Sequence, residues 1–428
     1  MRPGPFACRL RNLLLGLALP LAPVLAQEET GGAAPAPLAP VELTASHYAA
    51  LTKHRALARR LKAPLLAGRD VGPVLTLMLA GRKQVMDAPD KARALFEQGL
   101  ALMAETETFP ALPATDWPAK PNNVQLELLE EFTVPADIYD YAGLGRVDGC
   151  SFQAAAFTVD GLKQYGVVVR PAQKGKYPLL LYLHGAAFGV PDYSLPWLAH
   201  LARRGYVIVA PAFRGEPLFA GTNPALPDYE CEGKIENLLG EVNDALGMVD
   251  GARRLPAVKP GRFGIVGHSF GSGAGLLAAA RSDQVACVVS YDAWLTNPFR
   301  FYWERLANEF ERSDRNYLWG SWPAFCRRPV KQQLHGLKAR SIVHNARGIS
   351  APVLLFTGGA YSDSAYHASH EDLTARLEEH GAQYEYHVMP RGGHNFMLYY
   401  SSLPARAAHK KMLAWLQRHH PPVKPARK

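Results

Sequence analysis

The chain has 428 residues, 48% hydrophobic and 20% charged, which excludes a disordered or fibrous protein and allows one large domain with additions, or two domains. Its formal net charge of +9 comes from scattered basic residues, giving weak attraction to anionic surfaces and no argument for nucleic-acid binding.

The first residues stand apart from the fold. Arg2, Arg9 and Arg11 precede an apolar run from Leu13 to Leu25, and Val24-Leu25-Ala26 places small residues at the cleavage offsets. That is the pattern of a secretory signal peptide over 1–26, cut after Ala26, and it predicts a secreted or periplasmic protein. The run is short for a bilayer and broken by Pro20 and Pro23, which argues against an uncleaved anchor and for no stable membrane insertion after cleavage. Cys8 precedes the apolar core, against a lipoprotein. Losing the three arginines lowers the charge from +9 to +6. Export permits disulfides, and Cys150, Cys231, Cys287 and Cys326 allow three pairings, which the sequence leaves open.

Residues 27–40 read as a flexible leader rich in Pro, Ala and Gly. A helical N-terminal region over 41–121 follows. Leu51, His54, Leu57, Ala58 and Leu61 fall on one helix face, a second helix runs from Val71 to Asp87, and a third opens at Pro89-Asp90 and reaches Met103. No chemistry is visible there. A proline-rich linker from Phe109 to Pro121 leads into the region 122–420.

Strands are expected at Cys150–Val159 and Gln164–Arg170, joined by the hairpin signal Asp160-Gly161. Tyr177–Leu183 reads as a buried strand ending in His184-Gly185-Ala186, and a helix over Ser194–Arg204 leads into the strand Tyr206–Ala210. A helix at Lys234–Arg253 precedes the apolar run before Gly267. Strands at Val285–Tyr291, Pro352–Phe356 and Tyr384–Met389 alternate with helices at Ser369–His380 and Leu403–Arg418, and 421–428 is a basic tail. This alternation predicts an α/β fold with a mostly parallel central sheet and helices on both faces. One long piece, about 294–348, interrupts it and holds four of the seven tryptophans, Trp294, Trp303, Trp319 and Trp322. Its place after a strand end suggests a cap or pocket wall; the plainer reading is that its aromatics form a small core of their own.

The chemistry gathers at Gly267-His268-Ser269-Phe270-Gly271, between that apolar run and the small-residue helix Ala274–Arg281. A serine on a sharp strand-to-helix turn projects its hydroxyl, while the glycines relieve crowding and the N–H of Phe270 faces the same spot. A serine hydroxyl needs a base, and the base needs an orienting acceptor. His394, in Arg391-Gly392-Gly393-His394, follows the last strand and is the candidate base. His268 is expected to shape the elbow, His184 to be structural, and His367-x-x-His370 to lie on a solvated helix face instead of binding a metal. Two residues compete as the acid: Asp292 at the end of the strand after the elbow, and Asp363 in the loop after Pro352–Phe356. The glycines at 271, 273 and 275 lack dinucleotide-binding spacing.

Gly267–Gly271 followed by Asp292-Ala293-Trp294 resembles the plasma-type platelet-activating factor acetylhydrolases, whose acid lies in an Asp-Ala-Trp at the same separation from the serine. The strand ending in His184-Gly185-Ala186 and the segment Leu201–Ala210 are also similar to that family. The likeness spans about Pro178 to Phe396, interrupted by the aromatic insertion, and leaves the helical N-terminal region uncovered. Dienelactone hydrolases and prolyl oligopeptidase-like enzymes share the layout, and Phe213-Arg214-Gly215 is similar to the latter. Their acid follows the later strand in a Gly-x-x-Asp pattern, and here that offset from Gly359 is Ser362. The resemblance therefore implies an α/β-hydrolase serine esterase with Ser269, His394 and Asp292 as its triad. It puts the oxyanion in the N–H groups of Phe270 and Ala186, with a small-molecule ester as substrate and no metal or cofactor. A peptidase acting on short peptides is the second expectation, and a non-catalytic binding protein on the same fold is the reading from another class.

Overall fold

A computed structural model describes residues 42–424 apart from 107, 186–187, 222, 309–321 and 361–363. The expected signal peptide and leader, Ala186, Asp363, Trp319 and the last four residues of the tail lie outside the described residues. The chain forms two compact units, one of the residues up to Pro113 with Phe301–His335, the other of Ala114–Arg300 with Gly336–Lys428.

The first unit is helical. Helices α1 (Ala45–Leu66) and α2 (Gly72–Gln84) pack on α3 (Pro89–Glu105). Small residues allow the close approach: a Cβ on Gly99 would stand 2.8 Å from the Leu57 side chain, and one on Gly81 would meet the Phe96 ring. Of the expected face of α1, His54, Leu57, Ala58 and Leu61 are buried and Leu51 is half-buried. Part of the aromatic insertion completes this unit. The Trp303 indole donates to the Ala58 carbonyl (2.9 Å), and Trp322 is fully buried against Tyr302 and Phe325. These aromatics therefore share a core with the N-terminal helices.

The second unit is built on a nine-stranded sheet in the order β1-β2-β3-β6-β4-β8-β9-β10-β11. Its elements in chain order are β1 (Leu126–Phe132), α4 (Ala136–Ala142), β2 (Cys150–Val159), β3 (Leu162–Pro171), β4 (Leu179–Leu183), β5 (Val190–Pro191), α5 (Leu195–Arg203), β6 (Val207–Pro211) and β7 (Phe219–Ala220). Then come α6 (Gly240–Ala252), β8 (Phe263–His268), α7 (Phe270–Arg281), β9 (Val285–Tyr291), β10 (Val353–Gly358), α8 (Ser364–Glu379), β11 (Tyr384–Met389) and α9 (Leu403–His419). From β6 to β11 all neighbours run parallel; β1, β2, β3 and β6 pair antiparallel. Helices cover both faces, so β4, β6, β8 and β10 are buried along their whole length, which is why they read as unbroken apolar runs. This is the α/β-hydrolase arrangement.

The hairpin at Asp160-Gly161 has both residues at positive φ, +53° and +77°, as a tight two-residue turn requires. Two of the departures from expectation have a visible cause. Strand β1, sequence LELLEEF, is half exposed at the sheet edge, where its glutamates blunt further pairing and mask its strand character. Helix α6 begins at Gly240, not Lys234, because Asn237 and Leu238 adopt positive φ and the Glu241 carboxylate accepts the N–H groups of Glu236, Asn237 and Leu239. The four cysteines are free thiols: Cys287 lies inside β9, Cys231 accepts the Tyr165 N–H, Cys150 donates to Ala199, and Cys326 is exposed.

Candidate active site

The elbow is pinned before it reacts. Ser269, between β8 and α7, has φ +51° and ψ −116°, a backbone state that costs free energy in a non-glycine residue. Its N–H donates to the Tyr291 carbonyl (2.8 Å), its carbonyl accepts the Trp294 N–H (3.0 Å), and the Ser272 hydroxyl donates to the Tyr291 carbonyl and accepts the Tyr291 N–H. A Cβ at Gly267 would stand 2.7 Å from the Gly271 carbonyl oxygen, and one at Gly271 would overlap the Leu183 carbonyl. Bulk is excluded at both glycines, as the motif requires. Phe270 opens α7, so its N–H has no acceptor inside the helix and lies at the positive end of the helix dipole.

His394 comes to the elbow from the loop after β11, and its Nε2 stands 2.7 Å from Ser269 Oγ. Burial and the neighbouring His268 and His370 rings hold the His394 imidazole down at about 3, so the ring is neutral and able to accept the serine proton. His268 shapes the elbow. It is buried and held down at about 4 mainly by desolvation, and as a neutral ring its Nε2–H donates to the His394 carbonyl at 3.1 Å. The same ring bars a side chain at Gly185, whose Cβ would lie 2.6 Å from His268 Nδ1 and 3.0 Å from Ser269 Cβ. One imidazole thus touches both loops that flank the serine.

Asp292, the favoured acid, has the following described surroundings. It sits at the end of β9 with φ +49°, its N–H donating to Phe356 and its carboxylate fully buried. Oδ1 accepts the Gly358 N–H at 2.8 Å, while Oδ2 has no hydrogen-bond partner. Among the described residues, no hydrogen bond or ion pair joins this carboxylate to His394. Burial pushes the Asp292 carboxyl well above the usual range, the Gly358 N–H opposing, which favours the neutral acid over the anion an imidazolium needs. The register explains its real partner: Tyr291 pairs with Phe356, so the tips of β9 and β10 are level and the side chain reaches Gly358. Tyr366 on α8 closes the same corner by donating to the carbonyls of Asp292 and Ala293.

His370 also departs from expectation. It is buried, not solvated, with Nδ1 3.0 Å from the Tyr366 carbonyl and its ring stacked on Tyr386. Two arrangements emerge only in the folded chain. An aromatic series Phe213–Phe270–Trp294, with ring centroids 5.4 Å and 5.5 Å apart, stands beside the serine. Arg214 is buried among Asp244, which it grips through Nε and Nη2, Asp160 and Glu236. Only the Phe-Arg-Gly triplet signalled the second.

The profile of the prolyl oligopeptidase family matches residues 192–421, more than half of the chain and all three of Ser269, Asp292 and His394. Chlorophyllase type 0 of Chenopodium album is 35% identical over 66 residues, 15% of this chain and 17% of that one. The uncharacterized peptidase YtmA of Bacillus subtilis (strain 168) is 26% identical over 200 residues, 46% of this chain and 69% of that one. Among solved structures, the uncomplexed acylaminoacyl peptidase of Pyrococcus horikoshii aligns at 18% identity with a TM-score of 0.46 over 66% of this chain and 44% of that one. The chain spans well under two thirds of the chlorophyllase and of the acylaminoacyl peptidase.

Proposed function

The chain belongs to the prolyl oligopeptidase family, and from that premise we propose that this serine hydrolase cleaves carboxylic esters through an acyl-enzyme. The observation that carries the reading is the 2.7 Å bond between Ser269 Oγ and His394 Nε2 on a strained elbow. As Oγ attacks the ester carbonyl, its proton passes to Nε2, and the carbonyl oxygen gains negative charge before the N–H groups of Phe270 and Ala186. Collapse expels the alkoxide, which takes the proton from His394. A water then repeats the sequence on the acyl-serine. Asp363, in the loop after β10 where this fold usually carries its acid, is the carboxylate we assign to orient His394, since Asp292 is engaged with Gly358.

The ester preference rests on the resemblance of Gly267–Gly271 and Asp292-Ala293-Trp294 to acetylhydrolases, and on the flat Phe270–Trp294 surface suited to an acyl or aryl group. The peptide reading keeps one support, the family itself. Turnover of p-nitrophenyl acetate and of short chromogenic peptides, each against Ser269→Ala, decides between them. Ester turnover should dominate, vanish in Ser269→Ala, and accompany fluorophosphonate labelling of Ser269; dominant peptide turnover overturns the ester assignment. The signal-peptide pattern supports export, and N-terminal sequencing of the mature protein should start at Gln27.

A further inference from the structure

Tyr366 lies on the first turn of α8, buried beside the base. Its hydroxyl is shared between two carbonyls at the tip of β9, donating to that of Asp292 and to that of Ala293 (3.1 Å). Its ring meets the His394 imidazole almost at a right angle, 88°, with centroids 6.0 Å apart, a favourable edge-to-face arrangement. A side chain anchored at its hydroxyl and packed at its ring has little freedom to turn.

The near end of Tyr366 is fixed as well. Its carbonyl lies 3.0 Å from His370 Nδ1, and its ring packs on the His370 ring at 5.0 Å. His370 in turn stacks on Tyr386 of β11, whose hydroxyl bonds that of Thr357 in β10 (2.9 Å). Further along α8, Asp372 accepts Nε and Nη2 of Arg300 and the Asn297 amide, which ties the helix to the chain that follows β9.

His394 has a second described ring beside it. His268 lies 5.3 Å away at 41° and holds the His394 backbone through its carbonyl (3.1 Å). Fixing the backbone leaves the side-chain torsions free, and rotation about them would carry Nε2 away from Ser269 Oγ, now 2.7 Å distant. A ring packed on the imidazole from α8 opposes that rotation. The tip of β9 thus bears on His394 through two carbonyls and a phenol, while its Asp292 carboxylate is bonded to Gly358.

We propose that Tyr366 is a positioning residue for the base: tethered by its hydroxyl to the tip of β9, its ring holds the His394 imidazole in the orientation that serves Ser269. This rests on the serine-hydrolase reading. A misplaced imidazole is felt most where its proton must reach a poor leaving group. p-Nitrophenolate departs without a proton, whereas the p-nitrobenzyl alkoxide takes one from His394.

The test compares kcat/KM on p-nitrophenyl acetate and p-nitrobenzyl acetate. Tyr366→Phe keeps the ring and removes the tether; it should lose about 10-fold on the benzyl ester and about 3-fold or less on the phenyl ester. Tyr366→Leu, without a ring, should lose about 100-fold and about 10-fold respectively. Arg300→Met breaks the pair with Asp372 and loosens α8 without touching Tyr366, so it reports a merely structural effect. It should lower the melting temperature and leave the ratio of the two esters within about 2-fold. The proposal is overturned if Tyr366→Phe leaves that ratio unchanged, or if Arg300→Met shifts it as far. Fluorophosphonate labelling and ester turnover of the unmutated protein separate the two levels. Their absence sinks the hydrolase reading, while their presence with an unimpaired Tyr366→Phe sinks only the role of Tyr366.

Discussion

Replacing Asp292 by Asn separates two accounts of the active site by orders of magnitude. The substitution is nearly isosteric. Asn keeps an acceptor for the Gly358 N–H, now 2.8 Å from Asp292 Oδ1, and its NH₂ takes the place of Oδ2, which has no partner to lose. The backbone favours it too, since Asp292 has φ +49° and Asn tolerates that region well. The cost is one buried NH₂ without an acceptor, about 1–3 kcal/mol, or a melting temperature lower by about 2–10 °C for a domain of this size. If the side chain only ties the tips of β9 and β10, kcat/KM on p-nitrophenyl acetate should remain within about 5-fold of the parent, whereas removing the orienting carboxylate of a triad costs about 10⁴ in kcat. Asp363→Asn should show that large loss. The assay is a side-by-side kinetic comparison with circular dichroism to confirm folding. A fall of about 10³ or more in Asp292→Asn, with Asp363→Asn near normal, would refute the reasoning and return the acid to β9.

Three further outcomes follow from the geometry. Gly185→Ala, whose Cβ would sit 2.6 Å from His268 Nδ1 and 3.0 Å from Ser269 Cβ, should lower kcat by about 10-fold or more and also lower the melting temperature, since overpacking costs about 1–3 kcal/mol. Because His394 is held down at about 3 by burial and adjacent imidazoles, protonation silences the base only in acid; the acid limb of kcat/KM should fall below pH 6.5, and a limb at or above that value would contradict it. Arg214→Met leaves Asp244 buried without its bidentate partner, a loss of about 3–5 kcal/mol visible as a lower urea midpoint, and a change under about 1 kcal/mol would show that the cluster tolerates an uncompensated acid.

How much of this could be read from the chain varies with the range of the forces involved. Hydrophobic periodicity and turn chemistry act over a few residues. They located the buried strands, the Asp160-Gly161 hairpin, the elbow between β8 and α7, and His394 as the histidine of the last loop. They failed where a charged edge strand carries little periodicity, as in β1, and where a side chain of the first helical turn captures the N–H groups just before it, as Glu241 does at the start of α6. They also misjudged His370, whose burial depends on Tyr386 of β11. The elbow itself, Gly-x-Ser-x-Gly between strand and helix, was determined by local sequence, because its glycines answer to clashes within a few residues and with the adjoining strand end. Which carboxylate serves His394 was not. Asp292 stands at the right separation along the chain, yet the β9–β10 register turns its side chain to Gly358, and only the assembled sheet decides where a strand tip points.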